Sequence, residues 1–170
     1  MKTKIFLTAL YRFCLLSSIG LLFACQEQKA EIGHTAPDIA AFDLQGQPVQ
    51  LTHQSGHTTL LTFWSETCGV CVGELKTLEQ LAQQYPQHHL NILAINVDGD
   101  KGDTQAIVKQ RDLHLPIVKD QLKITAERYQ LLGTPTSFVI DQTGKILYKF
   151  DGLIPTPFLH SLFQGQIKGQ

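Results

Sequence analysis

Residues 58–71 read TTLLTFWSETCGVC, and this stretch decides the fold. Its first half, 58–64, is rich in β-branched and aromatic residues, which is typical of a buried strand. After Cys71 the apolar period changes from that of a strand to that of a helix. The sequence therefore predicts that Cys68 and Cys71 lie between a buried strand and the start of a helix.

The predicted helix is amphipathic. Leu75, Leu78 and Leu81 fall on one face, which leaves Glu74 and Glu79 outside that face. The helix begins near the cysteines and ends by residue 85, because a proline follows directly. One side of this helix is therefore expected to cover the sheet.

The rest of the chain continues the alternation in the order hairpin, then β-α-β-α, then β-β-α. Alternating units require a parallel central portion, and the final hairpin makes the sheet mixed. Right-handed crossovers place helices on both faces, so we expect an α/β three-layer sandwich with an N-terminal β-hairpin. The further predicted elements are hairpin strands 38–44 and 48–51, strands 91–97, 136–140 and 145–150, an extended piece 115–118, a polar loop 98–102, and helices 103–112, 124–131 and 157–163, the last with Thr156 as N-cap.

Composition and charge suit one globular domain and do not identify a partner. The chain has 170 residues, of which 43% are hydrophobic, enough for a core in one domain plus a short extra segment. The formal net charge is -1, so no global field attracts nucleic acid or an acidic membrane surface. We therefore expect no nucleic-acid partner.

The N-terminal residues form a targeting segment. Lys2 and Lys4 give a positive start, and the apolar run 13–24 has the length of a signal-peptide core. The junction 22–25, Leu-Phe-Ala-Cys, resembles a bacterial lipoprotein box, in which Cys25 becomes the lipid-modified first residue of the mature protein. The expected organisation is a lipoprotein signal peptide over 1–24, a tether over 25–32 and the folded domain over 33–170.

Two alternatives to the lipoprotein remain open, namely an uncleaved anchor over 5–24 and plain secretion. The lipoprotein and the anchor give the same topology, with the domain tethered on the outer, periplasmic side of a bacterial membrane. Gln26 follows the cysteine, which in Gram-negative lipoproteins weakly favours the outer membrane.

Cys68 and Cys71 remain for chemistry in the folded domain, because Cys14 lies in the signal and Cys25 carries the lipid. Two cysteines three apart close too small a loop to hold distant parts of a fold together. A helix N-terminus stabilises a thiolate. We therefore assign Cys68 as the nucleophile and Cys71 as the resolving thiol of thiol–disulfide exchange.

The two residues between the cysteines favour contact with a substrate chain. Gly69 allows close approach, and Val70 adds apolar contact without charge. No histidine lies between the cysteines, so one source of strong thiolate stabilisation is missing, which favours a reductase or an intermediate potential. We expect no cofactor other than the redox-active disulfide itself.

A zinc site is the rival interpretation of a Cys-X-X-Cys motif. Structural zinc needs four ligands, and the mature domain offers no other cysteine. His88 and His89 are neighbours whose side chains point to opposite faces in a strand, and His53 and His57 flank a loop. We therefore expect no metal site, with copper handling as the alternative role for the histidines.

Residues 60–71 resemble the active-site segment of thioredoxin-fold proteins. The leading segment 32–38, the strand 91–97 and Gly-Thr-Pro-Thr at 133–136 are similar to the TlpA/ResA-like group. That resemblance implies a thioredoxin-like sandwich and a membrane-tethered thiol–disulfide oxidoreductase outside the cytoplasm. The implied partners are thiols or disulfides of exported proteins, including apocytochrome c during cytochrome c maturation, and a membrane electron donor.

The resemblance also assigns Thr134 and Pro135 to a cis-proline loop that faces the cysteines. A cis X–Pro bond fixes a tight turn, and the backbone of Thr134 pairs with an extended substrate strand. An ordinary trans proline at a strand start is the alternative. We therefore predict Gly69, Val70, Thr134 and Pro135 as substrate-binding residues.

Three departures from the family pattern bear on the chemistry. Thr67 stands where many relatives carry Trp, and Thr62 stands where thioredoxin has a buried Asp. TlpA-like reductases often place an acid near the end of the strand that here closes at residue 97. The candidates for a proton relay are Glu66, Asp98 and Asp100, with solvated surface acids as the alternative.

Two classes of function follow. The first is an extracytoplasmic thiol–disulfide oxidoreductase that reduces disulfides of exported proteins through the Cys68–Cys71 dithiol. The second is a lipid-anchored binding, chaperone or metal-handling module whose cysteines are not used for turnover. A peroxidase is disfavoured, because the cysteine pair occupies the position of a thioredoxin pair.

Overall fold

The computed structural model describes residues 28–51, 57–87 and 89–167. Four predicted features lie outside these ranges: the signal peptide over 1–24 with Cys14, the lipidation site Cys25, and the histidines His53 and His88. Across the described ranges, no helix combines the length and the apolar character needed to span a membrane.

A mixed β-sheet forms the centre of the domain. The strands are β1 (Ala41–Asp43), β2 (Pro48–Val49), β3 (Thr58–Trp64), β4 (Leu90–Asn96), β5 (Ile117–Lys119), β6 (Thr136–Ile140) and β7 (Ile146–Asp151). In the described part of the chain these seven strands lie in the order β2-β1-β5-β4-β3-β6-β7. β3, β4 and β5 run parallel, whereas β1, β6 and β7 pair antiparallel with their neighbours. The predicted mixed sheet and N-terminal hairpin are confirmed.

Helices cover both faces of this sheet. They are α1 (Gly69–Gln84), α2 (Thr104–Gln110), α3 (Ile124–Arg128) and α4 (Thr156–Phe163), and a 3-10 helix spans Gly99–Lys101. Side chains of α1, α2 and α4 pack together on one face. The N-terminal segment and the residues around α3 cover the other face. The predicted three-layer α/β sandwich is therefore confirmed.

Strand β3 is buried on both faces and forms the base of the cysteine motif. Leu60 and Trp64 belong to the core under α1, while Leu61 and Phe63 belong to the core on the other face. All four residues are fully buried. β3 pairs with β4 and β6 along its length, so its carboxyl end, which leads to the cysteines, is held from both sides.

Two acids that the pattern places outside the apolar face of α1 are largely buried, so that prediction is wrong. Glu74 is only 6% exposed. The Glu79 side chain is 11% exposed and accepts hydrogen bonds from the backbone N–H groups of His114 and of Leu115, the latter at 3.1 Å. Backbone donors from distant segments cover both carboxylates, and helical periodicity does not reveal such donors.

α2 and α3 end before the predicted residues 112 and 131. The backbone φ turns positive at Asp112 (51°) and at Gln130 (50°), a conformation that a right-handed helix does not accommodate. The start of α2 agrees with prediction, because Asp103 Oδ1 accepts the N–H of Ala106 at 3.0 Å.

Several other boundaries differ from the prediction. Strands β1, β2, β4 and β7 span 41–43, 48–49, 90–96 and 146–151 instead of 38–44, 48–51, 91–97 and 145–150. α4 begins at Thr156 rather than after it, with Pro155 as N-cap, because the Pro155 carbonyl already accepts the N–H groups of Phe158 and Leu159. The predicted polar loop over 98–102 contains the 3-10 helix. The extended piece predicted over 115–118 is strand β5, which shifts toward Lys119 because it pairs with β1 and β4.

The first described residues pack beside α3 and β7. The Ala30 N–H donates to the Arg128 carbonyl at 2.9 Å, and the Gln130 side-chain amide donates to the Ala30 carbonyl at 3.2 Å. Thr35 then forms an antiparallel bridge with Lys145. The chain thus joins the domain next to the segment that leads into the loop before β6.

Candidate active site

Cys68 and Cys71 form a disulfide at the N-terminus of α1, with an S–S distance of 2.03 Å. Cys68 is the N-cap residue, and its Sγ accepts a hydrogen bond from the Cys71 N–H at 3.3 Å. Cys68 is half-buried, whereas Cys71 is 1% exposed and packs in the core under α1. A partner can therefore reach Cys68 and not Cys71, which is the asymmetry that thiol–disulfide exchange needs.

The N-terminus of α1 is the main electrostatic feature beside Cys68. The helix runs for 16 residues, so its first-turn N–H groups and its dipole favour a negative charge on Cys68 in the reduced state. Gly69 and Val70 are exposed in this first turn, with Val70 at 58%. The predicted nucleophile and its two exposed neighbours thus share one accessible surface.

The loop before β6 faces Cys68. The Thr134–Pro135 peptide bond is cis, as the resemblance implies, and the Thr134 carbonyl oxygen lies 3.6 Å from Cys68 Sγ. The Gly152 N–H donates to the Pro135 carbonyl at 2.8 Å, which ties the loop to the end of β7. Residues far apart in the chain therefore meet around one sulfur atom.

Asp98 lies at the end of β4 and contacts the loop between β3 and Cys68. It accepts hydrogen bonds from the Ser65 hydroxyl, the Glu66 N–H and the Asn96 amide, each at 2.7 Å. Burial opposes ionisation of Asp98, but these three donors and the positive charge of Lys123 together lower the pKa of the carboxyl below its usual value. The carboxylate is thus charged and bound to the loop at neutral pH.

The other two predicted relay acids occupy different surroundings. Glu66 accepts a hydrogen bond from the Thr104 hydroxyl at 2.7 Å, and its carboxylate lies against Gly102. Asp100 is exposed on the 3-10 helix. The structure thus places Glu66 on the active-site loop, Asp98 in contact with that loop, and Asp100 on the neighbouring surface.

Glu74 is a site residue that the sequence analysis did not identify. It lies one turn after Cys71 on the buried face of α1, and its Oε1 accepts the Ile154 N–H at 2.7 Å. Burial raises the pKa of its carboxyl, and the Ile154 hydrogen bond offsets only part of that effect. The signal in the sequence was the three-residue spacing from Cys71, which puts both side chains on one helical face.

The position that holds a buried Asp in thioredoxin is filled by a hydroxyl pair here. Ser137 on β6 donates to the Thr62 hydroxyl at 2.9 Å, and both side chains are buried. These two groups satisfy each other and carry no ionisable proton near neutral pH. Glu74 is therefore the buried carboxyl nearest in sequence to Cys71.

Three exposed apolar side chains lie on the segments that meet at Cys68. Val70, Leu132 and Leu153 have 58%, 91% and 55% of their surface exposed, and we call them the apolar rim. Leu132 precedes the cis-proline loop, and Leu153 follows Gly152, which is bonded to that loop. Exposed apolar side chains on neighbouring segments are a candidate contact surface.

His57 and His89 lie away from this site. The His57 and His89 rings stack 5.3 Å apart, just before β3 and β4 and thus at the edge of the sheet opposite the cysteines. Among the residues that the structure describes, no group of three or more His, Cys, Asp or Glu side chains is arranged to hold a metal ion.

Several known proteins are similar in sequence to most of this chain. Residues 32–149 match the profile of the AhpC/TSA family. The chain is 32% identical to the thiol-disulfide oxidoreductase ResA of Bacillus cereus over 127 residues, which is 75% of this chain and 73% of that protein. ResA of Geobacillus thermodenitrificans is 32% identical over 124 residues, with coverages of 73% and 71%.

Solved structures confirm the fold. A Chlorobium tepidum crystal structure, described as a thiol:disulfide interchange protein DsbE, aligns with a TM-score of 0.68 and 29% identity and covers 80% of this chain and 95% of that chain. A solution structure from Neisseria meningitidis, described as a thioredoxin, aligns with a TM-score of 0.65 and 26% identity, with coverages of 76% and 87%. The thioredoxin-like architecture expected from the resemblance is confirmed.

Proposed function

The chain belongs to the AhpC/TSA family and is a thiol–disulfide oxidoreductase, and we propose that it reduces disulfide bonds of exported proteins. Cys68 is the attacking thiol and Cys71 is the resolving thiol. The observation that carries the proposal is the asymmetry of the pair. Cys68 is accessible at the N-terminus of α1 beside the Thr134 carbonyl, and Cys71 is buried beneath it.

The reaction moves two electrons and two protons from the dithiol to the substrate disulfide. The Cys68 thiolate attacks one substrate sulfur, which forms a mixed disulfide and releases the other substrate sulfur as a thiolate that takes up a proton. The Cys71 thiolate then attacks Cys68 Sγ, forms the Cys68–Cys71 disulfide and releases the second substrate thiol. The oxidised pair returns to the dithiol by exchange with a dithiol electron donor, which we propose to be a membrane protein.

Glu74 takes the proton of Cys71 in the second step. A thiol buried in an apolar core needs a nearby acceptor before it can attack, and Glu74 lies one turn along on the same buried face. Its raised pKa brings the carboxyl closer to the range in which it exchanges protons with a thiol. The Ile154 N–H holds the carboxyl in place.

The substrate binds as an extended segment across the cis-proline loop. The Thr134 backbone offers a carbonyl beside Cys68, and Pro135 places no backbone N–H beside the sulfur. An extended segment that pairs with this backbone would bring its cysteine to Cys68, as in strand addition. Gly69 leaves space for that segment, and Val70 and the rest of the apolar rim contact its side chains.

The domain acts outside the cytoplasm, tethered to a membrane through its N-terminus. The supports are the signal-peptide pattern over 1–24 and the lipoprotein-type junction before Cys25. Exported proteins with thiols or disulfides, apocytochrome c among them, are the proposed clients. Metabolic labelling with a radiolabelled fatty acid tests the attachment: the wild-type chain incorporates label and Cys25→Ala does not, whereas equal labelling of both would contradict it.

Two cysteine variants test the reaction. In a reductase assay on a protein disulfide, Cys71→Ser accumulates a mixed disulfide through Cys68, which mass spectrometry detects, and Cys68→Ser forms no adduct and does not turn over. Adduct formation through Cys71 in the Cys68→Ser variant would contradict the assignment. An equilibrium titration against glutathione buffers gives the direction: a potential as oxidising as about −120 mV, that of a dedicated disulfide donor, would contradict reduction.

A further inference from the structure

We infer that Asp98 and Glu66 are positioning residues that fix Cys68 by holding the loop in front of it. The inference rests on the proposed function, because it concerns how the attacking thiol is presented. The loop, Ser65-Glu66-Thr67, is the whole connection from β3 to Cys68. The Cys68 N–H donates to the Ser65 carbonyl at 3.1 Å, so the position of the thiol follows the position of this loop.

Asp98 holds the loop from the end of β4. One carboxylate oxygen accepts the Ser65 hydroxyl, and the other accepts the Glu66 N–H, each at 2.7 Å. Asn96, which is fully buried, orients Asp98 from both sides: its amide donates to the carboxylate at 2.7 Å, and its carbonyl oxygen accepts the Asp98 N–H at 3.1 Å. A partly buried, oriented carboxylate thus binds the backbone and a side chain of the loop together.

Glu66 binds the loop to a second segment through its own side chain. Its side chain reaches the Thr104 hydroxyl at the start of α2, and Thr104 is only 2% exposed. Gly102 leaves the space for this carboxylate, because a Cβ at that position would lie within 3.0 Å of three of its atoms. The loop is therefore bound both to β4 and to the segment that carries α2.

A fixed loop favours closure of the Cys68–Cys71 pair. In the reaction of the dithiol with glutathione disulfide, the protein disulfide and two glutathione molecules form. The equilibrium constant depends on the effective concentration of one protein thiol near the other, which rises when both are held in place. Cys71 is fixed by the core, so the mobility of Cys68 determines the effective concentration and, with it, the equilibrium constant.

The test compares Asp98→Ala with Glu79→Ala as a matched control. Glu79 is also a carboxylate that binds backbone N–H groups of a loop, but that loop leads to β5 and not to Cys68. We expect both alanine variants to lower the urea midpoint of unfolding. Asp98→Ala alone also lowers the equilibrium constant with glutathione about tenfold, equal to ~30 mV. Asp100→Ala, on the exposed surface, changes neither quantity.

Two results would overturn the inference. The first is an unchanged glutathione equilibrium in Asp98→Ala despite a loss of stability like that of Glu79→Ala. The second concerns Asp98→Asn, which keeps an oxygen for the Glu66 N–H and offers an amide to the Ser65 hydroxyl: we expect it to retain most of the wild-type equilibrium and rate. If Asp98→Asn retains the unfolding midpoint but slows exchange as much as Asp98→Ala does, Asp98 acts as a proton carrier instead.

Failure of the wild-type protein to reduce a protein disulfide would contradict only the proposed function, since the glutathione equilibrium is measured independently.

Discussion

Cys71 and Glu74 share a buried face of α1, and the Glu74 carboxylate accepts a hydrogen bond from the backbone N–H of Ile154. A carboxyl in that position resists ionisation, because the low-dielectric core disfavours its charge. The folded protein therefore binds the Glu74 proton more tightly than the unfolded chain does. Stability and chemistry at this residue are linked through the same proton.

The first prediction concerns Glu74→Gln, which keeps an acceptor for Ile154 and removes the ionisation. A raised folded-state pKa gives a stability contribution that is complete below the ordinary value of 4.5 and is lost as pH rises through the folded-state pKa. Each unit of elevation costs the wild type about 1.4 kcal/mol at high pH. Urea unfolding of both oxidised proteins at pH 4 and pH 7 should show the wild type losing stability relative to the variant, whereas parallel pH dependences would refute the assignment.

The same substitution should slow the resolving step. With no carboxylate to accept its proton, Cys71 in Glu74→Gln attacks the mixed disulfide more slowly, by roughly 10²-fold if the acceptor contributes as general bases do. Stopped-flow measurement of the two exchange steps separates them, and the first attack by Cys68 should keep its rate. Equal slowing of both steps would point to a general disturbance of α1.

At the scale of elements, three segments meet at the site. β3 leads to Cys68, α1 begins directly after it, and the loop before β6 lies against Cys68. The apolar rim lies on these segments and on the turn after β7. Its side chains are exposed, so they contribute little to folding and are free to contact a protein substrate.

The second prediction is a split between binding and chemistry at the rim. Leu132→Ser should raise the KM for a protein disulfide several-fold, since a buried leucine contributes about 2 kcal/mol and this one is covered only in part by a substrate. The rate with glutathione disulfide and the unfolding midpoint should stay within error of the wild type. Ile32→Ser is the matched control, because Ile32 is 61% exposed near the start of β7, away from Cys68. An equal rise in KM for both variants would remove the rim from the substrate site.

Elements with a strong local pattern could be predicted from the sequence, and those set by distant contacts could not. The bounds of β3 and β6 match prediction residue by residue, because central strands buried on both faces read as unbroken apolar runs. The cysteine motif could be predicted from its spacing, and the cis-proline loop could be predicted from the family resemblance. The ends of α2 and α3 depend on positive φ angles at Asp112 and Gln130. Neither residue is a glycine, so the local sequence does not indicate these angles.

The hydrogen bonds that build the rest of the site join residues far apart in the chain. Glu66 binds Thr104, Asp98 binds Ser65, and Glu74 binds the backbone at Ile154. A single sequence identified the first two acids as candidates near the cysteines but gave no indication of their partners. It misplaced Glu74 because a carboxylate on an apolar helical face looks like a surface residue until its donor is known.

At the scale of the whole molecule, the redox state and the folding equilibrium are coupled. A pair that reduces substrates must favour its own disulfide in the folded protein, and by linkage the disulfide then stabilises the fold. The third prediction is that the oxidised protein has a larger free energy of unfolding than the dithiol form, by about 2 kcal/mol if closure of so short a loop sets the scale. Urea unfolding with and without a strong reductant measures it, and a more stable dithiol form would indicate an oxidant.

If Cys25 carries the lipid, as we propose, the hydrogen bonds of Ala30 with Arg128 and Gln130 limit the distance between the active site and the membrane. Gln130 is four residues before Thr134, whose carbonyl oxygen lies 3.6 Å from Cys68 Sγ, and four residues, 26–29, lie between Cys25 and Ala30. At about 3.5 Å per extended residue, the disulfide stays within roughly 40 Å of the bilayer surface. With that attachment, an electron donor in the same membrane would reach the disulfide by lateral diffusion, and a client would be reduced only near the bilayer surface.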